Sequence, residues 1–357
     1  MTDRLSTLLH AEATGLDVPP APIDAVLAGG HAIRRRRRTT FAVIGAAAAV
    51  AVVAAGVALL GADQADRSPE PAELPDQAAY QQRGAWAQGD ELHVGNHTAV
   101  VPGLAEILYT SVGVVARGTD DSLVLVTPAG DVERLDLPLL TDPVFDPKVA
   151  TDPMSPNLAY ISRAGSGRGR AVVRDLATGE ETTVGVPFPD TGAGRVNWLS
   201  GDLVAYSGAG GNGRTVDWRT GEPSSRARQG WWHAAGVSVN YDGDTWTLST
   251  FDGDPLLTQP ADAASSYGSL SPDGRYFLLA GTEPGLTVYD VRSGEETVFD
   301  DRAAAGYGWT PDGHLLGSAP GGGEIEVCDP VSGACEVTGP TSTTTPLLVR
   351  GTPGTAV

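Results

Sequence analysis

A turn that recurs along the C-terminal half of this 357-residue chain most constrains its fold. The pattern D-x-x-[ST]-G occurs at Asp175–Gly179, Asp217–Gly221, Asp290–Gly294 and Asp329–Gly333. Aspartate starts such a turn by accepting hydrogen bonds from the backbone that follows it, and glycine supplies the positive φ that ends it. Four copies of one turn indicate a repeated unit of antiparallel strands.

The spacing of the turns gives the length of that unit. Looser versions occur at Gly95, Gly130 and Gly253. A second turn lies upstream in three units, at Gly201, Gly274 and Gly313, each 20 residues before the glycine of its D-x-x-[ST]-G turn. The mean spacing of the seven turn glycines is about 40 residues, which is the length of a four-stranded propeller blade.

Short apolar or alternating runs such as SLVLVTP, DLVAYSG and RYFLLAG fill the intervals between turns. Such runs are typical of strands. We therefore predict an all-β fold, a seven-bladed β-propeller over residues 83–351, with six blades as the alternative. The first blade, around Ala85–Pro102, has room for only three strands. The segment 344–351, TTPLLVRG, is expected to supply the fourth and close the ring, leaving 352–357 as a tail.

The N-terminal part predicts a membrane anchor. Residues 41–61 contain no charged or strongly polar residue, and a helix of this length spans roughly 30 Å, the thickness of a bilayer core. The five residues at 34–38 are Arg34, Arg35, Arg36, Arg37 and Arg38. Arginine-rich flanks stay cytoplasmic, so we predict a single-pass cell-membrane protein with residues 1–40 inside and the large domain outside. A cleaved export signal ending near Gly61–Ala62 is the alternative.

Two shorter segments flank the predicted anchor. Residues 1–33 carry two brief amphipathic helical patterns separated by prolines, and are too short for a stable domain of their own. They are interpreted as a flexible tail, with a partner-docking helix as the alternative. Residues 62–82 are polar, acidic and proline-bearing, which predicts a semi-extended spacer.

Charge bears on the partners of the outer domain. The formal net charge of the chain is −20, and residues 62–357 hold 18 basic and 40 acidic groups. A domain this acidic repels phosphate backbones. We therefore expect no nucleic-acid partner.

A short motif relates the chain to known proteins. Ser271–Gly274 reads S-P-D-G and Thr310–Gly313 reads T-P-D-G, each followed by apolar residues. Here the chain resembles bacterial extracytoplasmic propellers of the TolB-like or WD40-like type, over about residues 83–350. Its N-terminal layout looks like that of actinobacterial membrane proteins with such a propeller. The resemblance implies the fold and an extracytoplasmic location, and little about activity.

The two cysteines predict a disulfide. Cys328 and Cys335 flank the turn Asp329–Ala334. Antiparallel strands leaving such a turn bring the two Cβ atoms within disulfide range. Outside the membrane an oxidised pair is expected.

Other patterns are weaker candidates for binding. GAGGNG at 208–213 matches G-x-G-x-x-G, but a strand-like RTVDW follows instead of the helix that a dinucleotide site needs. His93 and His97 lie in a predicted hairpin, where a spacing of four does not give a shared helical face. Two aspartate pairs do not fit a twelve-residue calcium loop, namely Asp242 with Asp244 and Asp252 with Asp254. No cofactor or metal is expected.

Tryptophans supply the last candidates. Trp86, Trp198 and Trp309 begin repeat strands and are predicted to pack between blades. Trp231 and Trp232 are adjacent, and adjacent strand residues point to opposite faces. One of the two is therefore a candidate ligand contact at the surface.

These observations favour a binding function. No G-x-S-x-G elbow occurs, and the many acids do not single out a catalytic carboxylate pair. The leading hypothesis is a non-catalytic, membrane-tethered propeller that binds an envelope protein or a cell-wall ligand, held in the bilayer through residues 41–61. One alternative is an extracytoplasmic lyase or hydrolase with histidine, arginine and acid around the central channel. Another is an envelope signalling protein that acts through residues 1–33.

Overall fold

The computed structural model of the protein describes most of the chain after residue 73. The described residues are 74–139, 149–164, 168–189, 194–207, 213–224, 232–260, 268–280, 285–300, 302, 306–340 and 347–348. No helix among them is long and apolar enough to cross a bilayer. The predicted tail over 1–40, the span 41–61, Arg34–Arg38 and the C-terminal tail 352–357 lie outside these residues.

The described strands form seven antiparallel sheets, each of which is one blade. Blade 1 contains β1 (Ala85–Gln88), β2 (Glu91–Val94), β3 (His97–Val100) and β27 (Leu347–Leu348). Blade 2 contains β4 (Leu104–Thr110), β5 (Gly113–Gly118), β6 (Leu123–Val126) and β7 (Val132–Arg134). Blade 3 contains β8 (Val149–Thr151), β9 (Asn157–Ala164), β10 (Arg168–Asp175) and β11 (Glu181–Pro189).

The remaining four blades follow in chain order. Blade 4 contains β12 (Arg195–Ser200), β13 (Leu203–Ser207) and β14 (Gly213–Asp217). Blade 5 contains β15 (Trp232–Ala234), β16 (Val237–Tyr241), β17 (Thr245–Thr250) and β18 (Pro255–Pro260). Blade 6 contains β19 (Gly268–Leu270), β20 (Tyr276–Ala280), β21 (Gly285–Asp290) and β22 (Glu296–Asp300). Blade 7 contains β23 (Tyr307–Trp309), β24 (Leu315–Ser318), β25 (Glu324–Cys328) and β26 (Cys335–Pro340). The predicted seven-bladed, all-β propeller is confirmed, and the six-bladed alternative is wrong.

The hydrophobic core lies between neighbouring blades. All five residues of β13 are buried, because a blade packs against a neighbour on each of its two faces. One core cluster joins Leu92 of blade 1 to Ile107 of blade 2, and another joins Leu248 of blade 5 to Phe277 of blade 6. The predicted packing of tryptophans between blades is confirmed for Trp198 and Trp309, which are buried, while Trp86 is half-buried.

The C-terminal strand closes the ring. β27 pairs antiparallel with β1, Ala87 opposite Leu348 and Gln88 opposite Leu347. It also contacts β4, the first strand of blade 2. It therefore holds in blade 1 the position that the first strand has in the other blades. The predicted closure by the segment 344–351 is confirmed at these two residues.

The four aspartate turns share one hydrogen-bonding pattern. Each Oδ1 accepts the N–H groups two and three residues later, at 2.7–3.0 Å. Each glycine N–H donates to the aspartate carbonyl at 2.8–3.0 Å, with a glycine φ of 72° to 77°. The turns predicted from D-x-x-[ST]-G are confirmed at Asp175, Asp217, Asp290 and Asp329.

A helix precedes the first strand. α1 spans Asp76–Arg83, with an acidic residue in its first turn and a basic one in its last, which suits the helix dipole. Tyr80 is fully buried, and its hydroxyl lies 2.7 Å from the Thr110 carbonyl and 2.8 Å from the Gly113 carbonyl. The helix is thereby fixed to the first turn of blade 2.

The helix corrects one expectation. The sequence predicts a semi-extended spacer over residues 62–82, yet the last part of that segment is helical and packs into the propeller domain. Its polar composition conceals this, because a short helix gains its stability mainly from tertiary packing, here that of Tyr80. Residues 62–73 lie outside the described part of the chain.

Truncation after Pro340 is expected to destabilise the domain by removing β27. Blade 1 would lose its first strand and the ring its closure. We expect the melting temperature, followed by circular dichroism, to fall by more than about 5 °C. The control is truncation after Gly351, which removes the tail alone and keeps the strand. Equal melting of the two truncations would contradict the closure.

Candidate functional site

Two families of turns form one face of the propeller. One family joins the first strand of a blade to the second, and the other joins the third strand to the fourth. We call the surface that they form the turn face. In blades 5 and 6 it comprises residues 235–236, 251–254, 271–275 and 291–295. In four consecutive blades a backbone N–H of one turn donates to a carbonyl of the other at 2.8–2.9 Å. The pairs are Leu176 to Pro156, Trp218 to Asp202, Phe251 to Gly236 and Val291 to Arg275. These bonds hold the two turns of each blade in one layer.

A groove of about 630 Å³ lies on the turn face between blades 5 and 6. This volume falls within the usual range of ligand sites. Blade 5 contributes Ala235, Gly236, Val237, Thr250 and Leu256. Blade 6 contributes Asp273, Gly274, Arg275, Val291 and Arg292.

A close contact between two turns positions the walls of the groove. A Cβ atom on Gly274 would lie 2.9 Å from the Ala234 carbonyl oxygen and 3.1 Å from Cγ2 of Val237. Only a residue without a side chain lets the blade 6 turn approach the blade 5 turn this closely. Ala235 and Gly236 both have positive φ, as a two-residue hairpin requires.

The two walls differ in chemistry. The blade 5 wall carries no charged residue, and Val237 and Leu256 are half-buried there. The blade 6 wall carries Asp273, Arg275 and Arg292, beside the buried Val291. A ligand in the groove would therefore meet apolar groups on one side, and two guanidinium groups and one carboxylate on the other.

Arg275 is held in a fixed position. Its Nε donates to Asp290 Oδ2 at 3.2 Å, and its guanidinium lies 4.8 Å from the centre of the Tyr276 ring. Burial opposes ionisation of Asp290, but hydrogen bonds from the backbone of Ser293 and Arg292 and from Arg275 outweigh it and lower the pKa of this carboxyl. Asp290 is thus ionised at neutral pH and orders Arg275.

The other two charged residues of the groove differ in their partners. Asp273 Oδ1 accepts the Ser271 hydroxyl at 2.6 Å and the Arg275 N–H at 3.0 Å, so this carboxylate is engaged in its own turn. The Arg292 side chain is exposed, and its guanidinium has no ionic or hydrogen-bonding partner among the described residues. Arg292 is therefore open to a ligand.

A second titratable cluster lies in blade 7. Arg302 donates to Glu326 from Nε at 2.6 Å and from Nη2 at 3.1 Å, and Tyr307 donates a further, short hydrogen bond to the same carboxylate. Burial favours the neutral form of Glu326, but these bonds outweigh it and lower its pKa. The ring of Tyr307 passes over Gly317, where a Cβ would lie 2.5 Å from it. The carboxylate is surrounded by protein donors, which is typical of a structural network.

The predicted disulfide is confirmed. Cys328 and Cys335 face each other across β25 and β26, with an S–S distance of 2.05 Å. Glu326 lies within 4.8 Å of both sulfur atoms. Because the sulfurs are bonded to each other, they are not the thiolates that a metal would require.

The two histidines of blade 1 have separate surroundings. His93 lies opposite Thr98, and His97 lies opposite Val94, which places the imidazoles on opposite faces of the hairpin. His97 Nε2 is 2.8 Å from Asp76 Oδ1. The structure does not bring the histidines together as a metal pair.

The remaining candidates belong to turns or lie partly outside the described residues. Asp242 Oδ1 accepts the N–H groups of Asp244 and Thr245, as in an ordinary aspartate turn. Residues 208–212 are outside the described part of the chain, and Gly213 begins a strand, as expected after GAGGNG.

The tryptophan pair stays a prediction. Trp231 lies outside the described residues. Trp232 begins β15 opposite Val239. A ligand contact by either residue is therefore untested.

The sequence patterns predict the turns that form the groove, but they do not single out Arg275 and Arg292 as residues that line it. A weak signal exists, because Arg275 directly follows S-P-D-G and Arg292 lies inside the turn D-V-R-S-G. Nothing local, however, shows that these turns face Val237, about 40 residues earlier.

Comparison with known proteins adds little beyond the fold. No protein-family model and no curated protein matches the chain. The chain is similar to the β-propeller domain of Cps50 (Swd1) from Myceliophteria thermophila, with 9% identity, 70% of this chain and 89% of that chain covered, and a TM-score of 0.41. It is also similar to an oligogalacturonate lyase in complex with manganese, with 14% identity, coverages of 66% and 81%, and a TM-score of 0.43. These values are too low to transfer an activity.

Replacing Gly274 with alanine is expected to destabilise the fold at the groove. The new methyl would press on the Ala234 carbonyl, in addition to the strain of a positive φ. Gly221→Ala is the matched control, since Gly221 has a φ of 76° against 69° for Gly274 but open space around it. In urea unfolding, Gly221→Ala should cost about 1 kcal/mol and Gly274→Ala at least about 1 kcal/mol more. Equal losses would show that the turns do not touch.

Replacing Glu326 with glutamine is expected to cost about 3 kcal/mol of unfolding free energy at neutral pH, because Arg302 loses its buried partner. The folded pKa of Glu326 is lowered, so its stabilisation is present above the unfolded pKa and disappears as pH falls through the folded pKa. The difference in unfolding free energy between wild type and Glu326→Gln should therefore decrease as the pH falls from about 6 to about 3.

The control is Glu336→Gln, an exposed carboxylate on the neighbouring strand. It should change the unfolding free energy by no more than about 0.5 kcal/mol. A gap for Glu326→Gln that stays constant with pH would refute the assigned ionisation.

Proposed function

We propose that the protein is a membrane-tethered propeller that binds an envelope ligand in the groove between blades 5 and 6. The observation that carries the proposal is the groove itself, with one apolar wall, one wall bearing Arg275 and Arg292, and a volume of about 630 Å³. Sites of this kind combine apolar surface for affinity with a few polar groups for orientation.

The rigidity of the turn face supports recognition. In blades 5 and 6 the backbone bonds from Phe251 to Gly236 and from Val291 to Arg275 fix the two turns to each other. Arg275 already donates a hydrogen bond to Asp290 without a ligand. A pre-ordered site loses less conformational entropy on binding and so retains more affinity.

The tether is part of the proposal. The apolar segment 41–61 and the arginines at 34–38 support an anchored chain with the propeller outside the cell membrane. An anchor would keep the groove at the membrane surface, where envelope ligands are concentrated.

Photo-crosslinking in carbonate-washed membranes tests both parts. A photoreactive residue in place of Leu256 should give a defined crosslinked product, because this position lines the groove. The same residue in place of the exposed Val132, on the outer strand of blade 2, is the matched control and should give none.

The product from position 256 should disappear when Arg292 is replaced by glutamate. A product that persists would refute binding in the groove. Loss of a shortened chain into the carbonate wash would refute the tether.

A further inference from the structure

We infer that the groove between blades 5 and 6 takes an extended peptide segment in which apolar and acidic side chains alternate. The inference rests on the proposed function, since it names the ligand class of the same groove. Three features carry it: the length of the groove, the different chemistry of its walls, and its local charge.

The length of the groove suits a short extended chain. The lining runs from the turn Ala235–Gly236, between the first two strands of blade 5, to Leu256 in the fourth strand. About two and a half strand spacings of about 4.8 Å give about 12 Å, which about four extended residues span at about 3.3 Å each.

The two walls require alternation. Successive side chains of an extended peptide point to opposite sides. One set would meet Val237 and Leu256 on the uncharged blade 5 wall, and the other set would meet Arg275 and Arg292 on blade 6. Apolar residues fit the first wall and carboxylates fit the second, whereas a peptide with its acids in one block would place carboxylates against valine and leucine.

The charged residues that line the groove are Asp273, Arg275 and Arg292, which give its lining a net charge of +1 within a strongly acidic domain. Residues 62–357 hold 40 acidic and only 18 basic groups, so an acidic peptide is repelled by most of this surface. The carboxylates of Asp273 in the lining and of Asp290 beside it already accept hydrogen bonds from the protein. Arg292 offers its guanidinium to a ligand carboxylate, in a charge-assisted and bidentate arrangement.

Titration of the full-length chain in detergent with fluorescent peptides tests the inference by anisotropy. The alternating peptide VEVEVE should bind at least about tenfold more tightly than VVVEEE, which has the same composition and charge. The neutral peptide VQVQVQ should also bind at least about tenfold more weakly.

Substitutions in the chain complete the test. Arg292→Gln should weaken binding of VEVEVE at least about fivefold, while Arg134→Gln, an exposed arginine on blade 2, should leave it unchanged. Equal binding of the two acidic peptides, or no effect of Arg292→Gln, would overturn the inference. Hexanoate competing as well as the peptide would assign the groove to small organic acids instead.

Failure of this inference can be told apart from failure of the proposed function. If the crosslink from position 256 forms in membranes and is lost in Arg292→Glu while VEVEVE does not bind, the groove binds a ligand of another class and the peptide assignment is wrong. If the peptide binds as expected and no crosslink forms in membranes, the ligand class stands and the envelope function is wrong.

Discussion

The pairing of β27 with β1 is the contact on which the ring depends. Each inter-blade core needs a blade on both sides, and seven blades supply this only when the last part of the chain joins the first. The pairs Ala87 with Leu348 and Gln88 with Leu347 make that joint. Once the ring is closed, no blade exposes an apolar face to solvent. A middle strand such as β13 can therefore be buried at every position.

Features with a local cause could be predicted from the sequence. In the turn from Asp290 to Gly294, the hydrogen bonds that the N–H groups of residues 292–294 donate to Asp290 lie within five residues, so the pattern D-x-x-[ST]-G specifies the conformation of the turn. The same holds for Cys328 and Cys335, which face each other across one hairpin. Counting such turns was sufficient for the number of blades, since each blade contributes one.

Features that depend on distant residues could not be predicted in this way. The window around Tyr80 is polar, and only its burial against residues 110–113 explains why it forms a helix. Among the described residues, blade 4 has three strands instead of four, and Val216 makes only an isolated bridge to Pro223. The groove arises from the packing of Gly274 on Val237, a contact that no short pattern encodes.

The first and the last described strands both lie in blade 1, and this has a mechanical consequence. Tension on the chain before Leu74 would act first on α1 and then on β1, the strand that carries the ring closure. Tyr80, held between two carbonyl groups, would have to leave its buried position before that load reached the pairing with β27. The resistance of the domain to pulling from its N-terminal side therefore begins with the contacts of α1, which are those of Tyr80 together with the bonds from Asp76 to His97 and from Arg83 to Asn96.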